Sequence, residues 1–261
     1  MNILFIGDIM GRSGRDAVFE MLYQVKEEYN IDFTIANGEN ASGGLGMNEN
    51  GYNELCRAGV DFFTMGNHTF SKKSIKQLFE NGENIVRPAN MPEGTPGDGM
   101  AIVNVGNAKV AIINLLGRLY IDDNNESPFF AADRLVCEAR KKTPIILIDF
   151  HAEATSEKEA LGYYLDGKVT AVLGTHTHIQ TADEKLLPKG TAYITDVGRT
   201  GVIDSVLGLD VSASIQRFTL APNEKKLPFS VAKGKSQLCG VVLEIDEKIG
   251  KAEKITRICV K

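Results

Sequence analysis

Short runs of β-branched and aromatic residues recur along the chain, with helical spacing between several of them, the alternation expected when strands are covered by helices. Residues 2–6 predict a first strand that Gly7 and Asp8 cut off. Ser13 followed by Asp16 reads as a capping box, and Ala17, Val18, Met21, Leu22 and Val25 then share one face of a core-facing helix to about residue 28. Strands over 33–36 and 62–65 precede helices near 49–57 and 71–79. The runs 100–105 and 110–115 flank Gly106-Asn107 and predict a hairpin, which makes the sheet mixed. A helix over 131–141 leads through Pro144 into a strand from 145, and Ser156 with Glu159 reads as a second capping box before Leu161 and Tyr164. Later strands fall at 169–173, 192–194, 240–245 and 255–260, the last two antiparallel, whereas 199–208 is weakly periodic. The expectation is an α/β fold in one domain, 1–261, with no repeat or linker.

Composition narrows this picture. A chain of 261 residues that is 43% hydrophobic can bury a large core. The net charge is -5 and the signs are interspersed, so no extended nucleic-acid footprint is expected. A small anion stays open, because a bound metal ion supplies local positive charge better than a basic surface does. Cys56, Cys137, Cys239 and Cys259 lack CxxC spacing and are expected to be reduced, mostly buried thiols. The apolar run at 3–6 is too short for a signal core or a membrane span, so no membrane association and a cytoplasmic location are expected.

Candidate chemistry lies at the strand ends. Gly174-Thr175-His176-Thr177-His178 follows an apolar strand, and residues two apart in extended chain point the same way, so His176 and His178 are expected to face one site. Imidazole suits zinc, iron and manganese. His151 ends the strand that begins at 145, and His68 follows 62–65 in Gly66-Asn67-His68. Asp8 ends the first strand, and Asn37-Gly38-Glu39-Asn40 ends the second. Taken singly, each has an ordinary reading as a turn residue, a cap or a core histidine. Five strand ends bearing oxygen or nitrogen donors suggest a composite site, since ligands of α/β sheets gather at carboxyl ends of strands.

Gly7-Asp8, Gly38-Glu39-Asn40, Gly66-Asn67-His68 and Gly174-Thr175-His176-Thr177-His178 resemble the successive motifs of the calcineurin-like metallophosphoesterases. The stretches 37–41, 65–69, 87–97, 149–157 and 174–201 resemble more closely the YmdB-type subfamily. That resemblance implies a sandwich of two mixed β-sheets flanked by helices. It also implies cleavage of 2',3'-cyclic and 3',5'-cyclic nucleotides, and a dimer or tetramer. Met10 stands where the wider superfamily has histidine, and Glu39 where aspartate is usual. The subfamily pattern compensates with Asn40. It places Asp8, Glu39, Asn40 and His178 on one metal, and Glu39, Asn67, His151 and His176 on the other. The resemblance favours iron, with manganese able to activate. The nitrogen and oxygen donors by themselves leave iron, manganese and zinc open.

Two cations bridged by Glu39, about 3.5–4 Å apart, would clamp a phosphate and acidify a shared water, whose hydroxide would attack phosphorus in line. His68 is the candidate proton donor to the leaving oxygen. Arg12 and Arg15 are candidates for phosphate contact, with solvated helix-start arginines as the ordinary reading. A phosphomonoesterase of the same fold and a non-catalytic metal- and nucleotide-binding regulator are the alternatives. A nucleotide-binding P-loop at Gly234-Lys235-Ser236 is rejected, because Phe229 occupies the earlier glycine position. Gly7, Gly11 and Gly14 have the wrong spacing for a dinucleotide fingerprint.

Overall fold

The structure is a computed structural model and describes residues 1–122, 124–221, 225 and 227–261. Strand β1 (Asn2–Ile6) leads to the short β2 (Asp8–Ile9) and helix α1 (Gly11–Tyr29). β3 (Phe33–Asn37), α2 (Glu49–Ala58), β4 (Phe62–Thr64), α3 (Ile75–Glu80) and β5 (Ile85–Val86) follow. The middle holds β6 (Met100–Val105), β7 (Ala108–Leu116), α4 (Pro128–Ala139), β8 (Ile145–His151), α5 (Thr155–Tyr164) and β9 (Ala171–Thr175). The last third holds β10 (Lys185–Leu186), β11 (Ala192–Ile194), β12 (Arg199–Val202), α6 (Val211–Thr219), β13 (Ser236–Asp246) and β14 (Lys251–Val260).

These strands form two mixed sheets. The first has the order β2-β12-β13-β1-β3-β4-β5, with β14 paired to β13; the second runs β10-β11-β9-β8-β7-β6. Within the first, β1, β3, β4 and β5 are parallel, and β13 joins β1 antiparallel. Within the second, β7, β8, β9 and β11 are parallel, with an antiparallel edge at either side. The expected hairpin is present, pairing Val105 with Ala108 across a two-residue turn in which Gly106 has φ 57°.

Alternation along the strands builds a four-layer body. Ile3, Phe5, Ile35 and Phe62 of the first sheet meet Val110, Ile112, Leu147 and Leu173 of the second in a shared interior. Leu4, Ile6, Ala36 and Phe63 point the other way, onto Val18, Leu22 and Leu55 of α1 and α2. Ile113, Ile146 and Ile148 likewise pack on Leu135 and Leu161 of α4 and α5. Strands buried on both faces read as continuous apolar runs, which explains the sequence of β8. All parallel strands then end on the same rim of the sandwich, where chain can leave the ladder without leaving polar groups in the core.

Several local expectations are corrected. Neither capping box forms: α1 starts at Gly11 after Met10, and α5 starts at Thr155 after Ala154, with no side-chain cap at either start. Ser13 donates its hydroxyl to the Ala232 carbonyl instead, a tertiary partner that outcompetes the local one. The weakly periodic 199–208 region contains β12, which is fully buried between β2 and β13, so polar Arg199 and Thr200 conceal a core strand. All four cysteines are free, but only Cys239 is buried; Cys137 and Cys259 are exposed. Cys259 lies on β14, which pairs with β13 alone and shows many side chains to solvent.

No helix among the described residues is long and apolar enough to cross a membrane.

Candidate metal centre

Five parallel strands, three from one sheet and two from the other, deliver the predicted donors to one place. Asp8 follows β1 and is held by pairing of β2 with β12 in the register Arg199↔Asp8. Glu39 and Asn40 lie just beyond β3, Asn67 and His68 just beyond β4, His151 at the tip of β8, and His176 and His178 just beyond β9. Asp8, Glu39, Asn40 and His151 are buried.

The distances divide the donors into two overlapping groups. His151 Nε2 lies 3.2 Å from Glu39 Oε1, 3.1 Å from Asn67 Oδ1 and 3.0 Å from His176 Nδ1. His178 Nε2 lies 3.1 Å from Asn40 Nδ2 and 3.8 Å from Asp8 Oδ1. Glu39 connects the groups: Asn40 Nδ2 donates to its Oε1 at 2.9 Å, and the His68 backbone N–H donates to its Oε2 at 3.1 Å. Glu39, His151 and His176 offer ligand atoms within 4.8 Å of one another, a group able to hold a metal ion.

The two histidines of the His-Thr-His run reach the site differently from the extended geometry expected of them. β9 ends at Thr175, and both His176 (φ 99°) and His178 (φ 64°) have left-handed backbone. The tight turn sends their rings to different donor groups, a strained arrangement that cross-links hold in place. Asp196 accepts from Thr177 N at 2.9 Å, Thr177 Oγ1 at 2.7 Å and Gly198 N at 2.8 Å, and pairs with Lys158 Nζ at 2.8 Å. Lys158 and Asp196 are both fully buried.

Electrostatics show a site crowded with charge. Burial raises the Asp8 carboxyl, with His178 and His151 opposing. Burial also opposes the Glu39 anion, but His151 outweighs it and brings Glu39 down to about 2. His151 is correspondingly raised to about 9: burial disfavours its cation, and Glu39 and Asp8 more than offset that. Burial and the neighbouring His151 lower His176 to about 3. Asp8 Oδ1 is buried without a hydrogen-bond partner. A cation satisfies such an atom at once, and the mixed carboxylate, amide and imidazole set is one that iron, manganese or zinc accepts.

Other residues orient these donors and are less legible in the sequence. Asp149, two residues before His151, points to the same side of β8; burial raises its carboxyl to about 6. It accepts from Thr175 Oγ1 at 2.7 Å and from Asn37 Nδ2 at 2.9 Å, tying β3 of one sheet to β8 of the other. His176 Nε2 lies 3.1 Å from Glu153 Oε2, so a carboxylate backs this imidazole on the side away from His151. The signal for Asp149 was a charged residue inside an apolar strand. Lys158 gave none, because a lysine on an amphipathic helix ordinarily faces water.

Two cavities border the centre. One, of about 530 Å³, borders Asn67, His68 and His176; the other, of about 270 Å³, borders Asn40, His68 and His178. His68 and His176 line both. Arg12 and Arg15 line neither. Arg15 bonds Glu54 and the Ala41 carbonyl, and Arg12 is largely exposed beside Asp16. Both border a separate cavity of about 670 Å³ between α1 and the 231–236 segment.

The chain matches the family model described as YmdB-like protein over residues 4–258. It is 53% identical over 262 residues to the 2',3'-cyclic-nucleotide 2'-phosphodiesterase of Bacillus subtilis (strain 168), covering 100% of this chain and 97% of that one. A crystal structure of a hypothetical protein from Thermus thermophilus superposes with TM-score 0.91 at 42% identity, covering 99% of this chain and 98% of the other. A crystal structure described as a novel phosphatase, from Mycoplasma pneumoniae, gives TM-score 0.91 at 36% identity, with 100% and 93% covered. Fold and length therefore agree, and this chain belongs to the YmdB-like family.

Proposed function

We propose that this protein is a metal-dependent phosphodiesterase that opens the cyclic phosphate of 2',3'-cyclic nucleotides. The observation that carries the reading is the convergence of buried Asp8, Glu39, Asn40 and His151 with half-buried Asn67, His176 and His178, Asp8 Oδ1 having no hydrogen-bond partner. The substrate class follows from the Bacillus subtilis relative.

Asp8, Glu39, Asn40 and His178 would hold one cation, and Glu39, Asn67, His151 and His176 a second, with Glu39 shared. Iron is the proposed metal, and manganese and zinc suit the same donors. When bound, the pair supplies Lewis acidity toward the phosphate and an acidified water as nucleophile. The chain's own groups do the rest. Asp8 and Glu39 are buried carboxyls whose charged forms a bound cation would stabilise. Thr175 and Glu153 fix the rings of His151 and His176, so little reorganisation accompanies the reaction. His68, anchored through its backbone N–H to Glu39, lines both cavities and donates a proton to the departing ribose oxygen. Water adds to phosphorus, the P–O2' bond breaks, and a nucleoside 3'-phosphate leaves.

Phosphomonoester hydrolysis is the second reading, favoured by the phosphatase description of the Mycoplasma pneumoniae structure. Metal analysis of protein purified without chelator is the test, combined with a panel of 2',3'-cyclic, 3',5'-cyclic, linear diester and monoester substrates. The proposal expects bound metal, preference for the 2',3'-cyclic diester, and loss of turnover in Asp8→Asn. Turnover by metal-free protein, or preference for monoesters, would overturn it.

A further inference from the structure

The two cavities that border the centre are not equivalent. A cyclic phosphate seated against the donors of both groups carries its ribose in a fused ring, so the base must extend outward into one cavity or the other. The cavity beside His178 has about 270 Å³, below the roughly 300–1,000 Å³ usual for small-molecule sites, whereas that beside Asn67 has about 530 Å³ and falls within the range. His68 borders both, so the choice of cavity also decides which side of the ribose faces the proton donor.

Aromatic faces distinguish them further. In the smaller cavity the Phe229 ring already has the Arg217 guanidinium 5.3 Å from its centroid. In the larger, Phe70 packs on Phe79 with ring centroids 6.1 Å apart. Tyr120 differs from both. It lines the larger cavity, is 89% exposed, and among the described residues no ring or cation packs against its face.

The backbone under this ring is built for the position. Tyr120 has φ 65°, a left-handed conformation that a bulky residue adopts only when its surroundings impose it. Those surroundings are visible one turn earlier in the chain. The buried Glu157 carboxylate on α5 accepts from Arg118 N at 3.0 Å and from Leu119 N at 3.3 Å. Gly117 passes so close to this carboxylate that an added Cβ would lie 2.7 Å from Glu157 Oε2. A buried anion thus grips the strand-to-loop turn after β7 and sets the exposed tyrosine on the cavity wall.

We infer that the cavity bordered by Asn67, Met91 and Tyr120 is the nucleobase subsite, with the Tyr120 ring as its stacking face. This rests on the cyclic-nucleotide reading above. Stacking uses the π-face that every base presents, so the subsite recognises the presence of a base rather than its identity. Tyr120 is a specificity-determining residue here and takes no part in bond breaking.

Equilibrium binding tests this without turnover. Calorimetry on metal-loaded protein compares adenosine 3'-phosphate with ribose 3-phosphate, which shares the phosphate and sugar but lacks the base. The wild type should bind the adenosine compound about tenfold or more tightly. Tyr120→Phe should keep that preference, and Tyr120→Ala and Tyr120→Leu should lose it while metal content stays unchanged. Alanine and leucine retain a Cβ, so neither relaxes the left-handed backbone as glycine would. A wild type with no preference for the base, or a preference that survives in both ring-free variants, would overturn the assignment. Hydrolysis of bis(p-nitrophenyl) phosphate by the wild type reports separately on the phosphodiesterase reading, and the binding comparison stands whichever way that result falls.

Discussion

His151 Nδ1 lies 2.8 Å from Thr175 Oγ1, and the same hydroxyl donates to Asp149 Oδ1 at 2.7 Å. One threonine therefore connects a candidate ligand to a buried carboxylate on the same strand, and leaves the Nε2 side of the imidazole facing Glu39 and Asn67. Replacing a group that orients a metal-bound imidazole costs about 10–100-fold in metal affinity. Thr175→Val is nearly isosteric, so we expect a loss of that size with the fold retained. Titration of metal into chelator-stripped protein measures it, and unchanged affinity would show that His151 is held by other means.

The buried pair of Lys158 and Asp196 supports the turn that carries His176 and His178. Removing the cation leaves an uncompensated buried carboxylate, a loss of about 3–5 kcal/mol. Lys158→Met should therefore shift the urea unfolding midpoint strongly and also weaken metal uptake, because Asp196 grips Thr177 between the two histidines. A shift comparable to that of a surface lysine substitution would argue against this role.

Gly66 is required by proximity. A Cβ there would lie 2.3 Å from Glu39 Oε2 and 2.4 Å from His151 Cδ2, distances that real side chains do not tolerate. We expect Gly66→Ala to displace both donors and abolish metal binding, with a much smaller change in the cooperativity of unfolding. Metal content after gel filtration, read beside the thermal melt, separates a local lesion from global misfolding.

Acid stability should depend on Asp183. Burial opposes its anion, but the hydroxyls of Thr181 and Thr195 and the Thr195 N–H hold its carboxyl below the ordinary value. A carboxyl depressed by folding contributes stability above the unfolded-state value of about 3.9, and that contribution is lost as pH falls through the lower folded-state value. Asp183→Asn should flatten the acid limb of stability against pH. Urea midpoints collected from pH 6 downward would show it, and parallel curves for the two proteins would contradict it.

How much of this was legible beforehand differs between the fold and the site. Helices α1 and α2 were readable because their apolar residues repeat at helical spacing against one sheet face. The β6–β7 hairpin was readable because Gly106-Asn107 provides the left-handed turn that such a loop needs. β12 was hidden, since its polar residues are satisfied within the fold: Arg199 bonds the nearby carbonyls of Val202 and Ile203 and the distant one of His178, and Thr200 Oγ1 donates to the Cys239 carbonyl, 39 residues away. The proposed cap at Ser13 failed because a local pattern states only what a side chain could bond, and the Ala232 carbonyl was available to it; Ser156 lies inside α5, which starts one residue earlier.

The sequence by itself determined which strand ends carry donors and that these donors suit a hard or borderline metal, because side-chain chemistry and strand periodicity are local properties. Tertiary structure alone decided that β1, β3 and β4 of one sheet and β8 and β9 of the other finish on a common rim. It also decided that His176 and His178 diverge through left-handed backbone, and that Lys158 turns inward to Asp196. The reason is physical. Sheet order and register arise from burying both faces of each strand at once, a condition on the whole chain that no segment expresses alone.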